Sequence, residues 1–172
     1  QHTPTRRQRQ MCIRDRMGIP ETFDLDLDEL EKTYLKLQQL FHPDKYSQLS
    51  DQEIKYSTLL SSMINEAYQK LNSSISRATI LLKLNGFNPH SEDKSFNDPD
   101  VLEEIMDIQN EFLEAESSEQ KKLSIQKLNL KISETMENLS ISFKNKEYVT
   151  ANKLNVKLSY LEKIRIDFKK HL

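Results

Sequence analysis

Glycine, tryptophan and cysteine are nearly missing from this chain, whose 172 residues include 2 Gly, 0 Trp and 1 Cys. Hairpin turns and phosphate-cradling loops need residues that accept positive φ, so two glycines argue against a strand-rich fold and for helices. A lone Cys12 excludes an internal disulfide and a cysteine cluster for zinc or iron–sulfur, and it fits a reducing compartment. No apolar run reaches the ~18 residues expected of a membrane-crossing helix. What is present is 36% hydrophobic and 30% charged residues, enough for modest cores and one domain or two small ones.

The net charge of −2 hides an asymmetry. Five of the 25 basic residues (Arg6, Arg7, Arg9, Arg14, Arg16) and one of the 27 acidic ones (Asp15) lie before Met17. The remaining body is therefore acidic, which makes it a poor ligand for nucleic acid. The basic arm has no apolar periodicity, and residues 1–16 are expected to be a disordered or non-native extension.

Helical patterns follow. Asp26 and Glu29 have capping-box spacing, and Leu27, Leu30, Tyr34, Leu37 and Phe41 then fall at steps of three and four. Pro43 disfavours helix at His42, so this helix ends there. Ser50 and Glu53 open a second helix through Ile54, Leu60, Met63, Ile64, Ala67, Tyr68 and Leu71, which would span ~33 Å. A short helix from Ser76 to Asn85 stops at Gly86, a residue suited to a C-terminal cap. The polar stretch around Pro89 marks a linker at 89–97. Asp98 and Pro99 then start another helix, with further helices expected from near Ser117 and near Asn145. The expected architecture is all-α: a helical hairpin over residues 17–88 and a three-helix bundle over 98–172.

His42-Pro43-Asp44 sits in the loop of the hairpin. A general-base role for His42 lacks a nucleophile and an oxyanion site at such a tip, so the tripeptide is better suited to recognition than to reaction. The surrounding segments, Tyr34 to Lys45 and Ile64-Asn65-Glu66-Ala67-Tyr68-Gln69-Lys70-Leu71, resemble a J domain between Gly18 and about Gly86. Arg77-Ala78, Leu81-Leu82 and Asn85-Gly86-Phe87 resemble one branch of it, the HscB family of iron–sulfur co-chaperones.

That resemblance implies a non-enzymatic co-chaperone with two partners. One is a DnaK- or HscA-type chaperone ATPase, stimulated through His42, Pro43 and Asp44 with Lys32, Lys36 and Lys45 assisting. The other is the iron–sulfur scaffold protein IscU, held by Leu102, Met106 and Tyr160. A solvated helix face is the alternative account of the lysines, and a wider core that of Leu102, Met106 and Tyr160. Val101, Ile105, Ile108 and Phe112 already supply a core-facing stripe, which puts Leu102 and Met106 on a second face.

This sequence departs from the family's pattern in three places. Cys12 to Met17 replaces its Tyr-Phe-x-Leu-type segment, Ser74 stands where a proline is common, and Glu103 stands where an apolar residue is usual.

Other signals are set aside. Asp24, Asp26 and Asp28 mimic a calcium loop, but Glu29 and Leu35 occupy positions where Gly and Glu would be needed. His2, His90 and His171 are scattered, so no metal site and no cofactor are expected. The chain is expected to be a monomer in the bacterial cytoplasm rather than the mitochondrial matrix, with no nucleic-acid or membrane partner. A general J-domain protein whose bundle serves dimerisation or client binding is the alternative function.

Overall fold

Among the residues that the computed structural model describes, 21–42, 44, 50–87 and 99–170, every element is a helix. The expected extension at 1–16, the linker at 89–97, Pro43, Lys45, Cys12 and three of the four histidines lie outside them. The helices are α1 (Leu27–Phe41), α2 (Asp51–Asn72), α3 (Ser74–Leu84), α4 (Pro99–Leu113), α5 (Ser118–Lys144) and α6 (Tyr148–Lys170). The chain divides into two compact units, one up to Leu81 and one from Leu82, so the division falls inside α3.

In the first unit, the Asp26 carboxylate accepts from the backbone N–H groups of Asp28 and Glu29 and so fixes the start of α1. Glu53 reaches back to the Ser50 N–H at 3.0 Å and does the same for α2. The two helices run antiparallel, as their cross-contacts show. Tyr34 stacks on Tyr68 with ring centroids 4.1 Å apart. One turn on, Gln38 accepts from the Ser61 hydroxyl at 3.1 Å. Leu30, Ala67 and Leu71 form the apolar centre, with Leu25, Leu37 and Tyr68 packed around it. Leu27, expected on this face, is 45% exposed because it sits in the first turn, beyond the reach of α2.

Arg77 is buried beneath this hairpin at 6% exposure. Its Nε donates to the Phe23 carbonyl at 3.1 Å, and its Nη1 donates to the carbonyls of Leu71 and Asn72. The guanidinium also lies 5.6 Å from the Phe23 ring centroid. One side chain thus closes the last turn of α2 and holds the segment leading into α1.

The second unit is a three-helix bundle. Ser117 and Gln120 cap α5 reciprocally. Lys127 pairs with Glu111, and Lys131 with Glu104 at 2.8 Å, so α4 and α5 are antiparallel. Lys157 pairs with the same Glu104, and Phe112 stacks on Phe168 at 3.7 Å, so α4 and α6 run parallel. Leu128, Leu139, Leu158 and Leu161 are fully enclosed, each worth about 1.5–3 kcal/mol of burial.

Two helix ends use the same device. Gly86, at φ 87°, ends α3 with its N–H bonded to the Lys83 carbonyl and the Phe87 N–H bonded to the Leu82 carbonyl. Lys146, at φ 60°, does this for α5. The last helix, expected from near Asn145, therefore begins at Tyr148: Asn145, Lys146 and Glu147 are consumed by the reversal.

Candidate functional site

The two halves of the expected site lie in different units. In the first, α1 ends at Phe41, and His42 adopts extended backbone at φ −64°, ψ 130°, as a residue before proline must. The side chains of His42 and Asp44 are 52% and 89% exposed. The Asp44 N–H donates to His42 Nδ1 at 3.3 Å, and the Asp44 carboxylate lies 3.6 Å from the same nitrogen. The first contact requires an unprotonated Nδ1, which in the neutral ring puts the proton on Nε2; only a protonated ring would form the ion pair.

Below this tip the helices are clasped by polar side chains. Asn65 Oδ1 accepts from the Tyr34 hydroxyl at 2.9 Å and from Gln38 Nε2 at 2.6 Å. The clasp fixes α1 against α2 close to the loop without burying a charge. Lys32 and Lys36 are exposed one turn apart on α1. Asn65 and Gln38 were not singled out in the sequence, where neither is distinguishable from an ordinary surface amide.

In the second unit, Leu102 and Met106 are exposed at 40% and 53%, while Ile105 and Phe112 of the same helix are buried. The register set by the Glu104–Lys157 and Phe112–Phe168 contacts places Tyr160, which is partly buried, level with Met106. Glu103 is exposed between Leu102 and Met106. The same bundle holds a charge network. Partial burial pushes the Glu104 carboxyl up, but hydrogen bonds and charge from Lys131 and Lys157 outweigh it and hold the pKa below its usual value. Lys131 is raised in turn, chiefly by its hydrogen bond to Glu104. Glu104 thus joins all three helices of the bundle, a role that its place near a helix start did not reveal.

Among the described residues no three His, Cys, Asp or Glu side chains are grouped to hold a metal ion, and no helix is long and apolar enough to cross a membrane. The class so defined is an all-helical protein with an exposed polar tip, His42 and Asp44, in one unit and exposed apolar side chains, Leu102 and Met106, in the other.

Comparison with known proteins gives the class its family. Residues 97–169 match the family model described as the HSCB C-terminal oligomerisation domain. The HscB homologue of Neisseria meningitidis, a co-chaperone protein, is 32% identical over 151 residues, covering 86% of this chain and 90% of that protein. The human iron–sulfur cluster co-chaperone HscB is 33% identical, covering 86% of this chain and 63% of that protein. The crystal structure of human HscB is similar with a TM-score of 0.87 at 30% identity, over 99% of this chain and 84% of that one. The chain belongs to the HscB co-chaperone family.

Proposed function

We propose that this protein is an iron–sulfur cluster co-chaperone that stimulates a DnaK- or HscA-type ATPase and delivers the scaffold protein IscU to it. His42, Pro43 and Asp44 form the element read by the chaperone, with Lys32, Lys36 and Lys45 as the basic flank. Leu102, Met106 and Tyr160 hold the scaffold. The carrying observation is that likeness to the Neisseria HscB homologue extends over 86% of the chain, so a single relative accounts for most of both units. The exposure of His42 and Asp44 supports the first role, and that of Leu102 and Met106 the second. No covalent step is assigned to the chain. Its effect is to raise the concentration of scaffold at a docked chaperone.

The testing experiment is titration of IscU against the wild type and a Leu102→Ala, Met106→Ala, Tyr160→Ala variant. A loss of affinity with unchanged helical content is expected, whereas equal affinity would assign the three side chains to structure.

A second reading, dimerisation through the bundle, is favoured by Leu123, Leu130 and Ile141. These are 52%, 71% and 47% exposed, and they fall on one outward stripe of α5. Sedimentation at rising concentration separates the two, since the first requires a monomer and the second a dimer.

A further inference from the structure

The surface of α4 does not change character at Met106. Leu102, Met106, Gln109 and Leu113 follow at steps of four, three and four, so at 100° per residue they share a stripe about 60° wide. Leu113, at its end, is 77% exposed, the most of any large apolar residue among those described. Met106 and Leu113 both line a groove of about 450 Å³ between α4 and the other helices of the bundle. Its deeper wall includes Phe112 and Phe168, both buried and stacked on each other. Lys121, 5.7 Å from the Phe112 ring, and Asp167, on Lys170 at 2.9 Å, give it charges of opposite sign.

We propose that the scaffold-binding face continues from Met106 into this groove, and that the scaffold partner seats bulky apolar side chains there against Leu113. The inference rests on the proposed function, because Met106 belongs to both surfaces. It adds a second contact, about 10 Å further along α4, that the residues carried by the family resemblance do not include. An aromatic floor between a cation and an anion suits an amphipathic segment of a protein better than a uniformly charged ligand. The stripe is ~17 Å long and one helix wide, far short of the ~800 Å² per partner that a stable homodimer buries. Its size suits a transient client instead.

The test measures affinity of the full chain for purified IscU in four forms: wild type, Leu102→Ala, Leu113→Ser and Leu130→Ser. Leu113 and Leu130 are both highly exposed, so neither serine should disturb folding. Leu113→Ser is expected to weaken binding about 10-fold, as loss of one well-packed apolar contact does, while Leu130→Ser binds as wild type. Loss with Leu102→Ala but none with Leu113→Ser would overturn the extended groove and leave the proposed function standing. No loss with either would remove both. Equal loss with Leu113→Ser and Leu130→Ser would also overturn it, as a general effect of surface hydrophobicity. So would a change in self-association with Leu113→Ser, which would make the occupant a second copy of this chain.

Discussion

Replacing Arg77 with Ala removes a buried charge that ties the segment before α1 to the end of α2. Its bond to the Leu71 carbonyl is short, at 2.5 Å, that to Phe23 is of ordinary length at 3.1 Å, and the Asn72 contact, at 3.3 Å, is weaker. Hydrogen bonds to a charged group contribute about 1.5–3 kcal/mol each, and the contact with the Phe23 ring adds about 0.5–2 kcal/mol. Against this stands the cost of burying a guanidinium, several kcal/mol, which alanine no longer incurs. The balance is a loss of about 2–4 kcal/mol, since alanine leaves the carbonyls facing a void it cannot fill. Hydrogen exchange read by peptide is the assay, because it reports each unit separately. Amides of α1 and α2 should exchange some 30- to 800-fold faster and those of α5 and α6 at the wild-type rate, and Arg77→Lys should recover only part of the loss, having no fork to span two carbonyls. A change below about fivefold in α2 would refute the role given to Arg77, since it corresponds to only ~1 kcal/mol.

Three further predictions follow from the second unit and the helix caps. Glu104→Gln should destabilise the bundle by about 1–2 kcal/mol, because its pairs are only partly buried. The native Glu104 carboxyl titrates below its ordinary value, so its contribution is complete above that value and fades as pH falls through the lower native one. Thermal melts should therefore show less loss of stability on acidification for Glu104→Gln than for the wild type; parallel curves would contradict this. Gly86→Ala meets no atom within 4 Å but must hold φ 87°, so it should cost about 1 kcal/mol in urea, and an unchanged midpoint would count against strain. Lys146→Gly should relieve the same strain at φ 60° and raise the melting temperature by a few degrees, whereas a fall would mean that unfolded-chain entropy dominates.

Much of the helical frame was legible in local chemistry. Asp26, Ser50 and Gly86 mark helix ends because short side-chain oxygens and a residue without Cβ do specific work there. The start of α6 was misplaced because Lys146 carries no sign that it will adopt a left-handed conformation. Core polar residues were also invisible. Ser57, Ser124, Thr135 and Ser142 are almost fully buried, each donating to a carbonyl about one turn back. Periodicity counts only apolar side chains, so small hydroxyls that allow close helix approach are passed over. The tip residues were conspicuous as a motif, whereas Asn65, Gln38 and Glu104 act through partners many residues away. Leu113 belongs with these: its spacing from Met106 was readable, but the phenylalanine floor beside it depends on α6.

Reading of His42 and Asp44 by the nucleotide machinery of another protein is registered by a steady-state ATPase assay. A DnaK- or HscA-type chaperone should hydrolyse ATP several-fold faster with this protein and IscU present, and should fall to its basal rate with Asp44→Asn at unchanged helical content. Stimulation that survives Asp44→Asn, or its absence with the wild-type chain and scaffold together, would contradict the account.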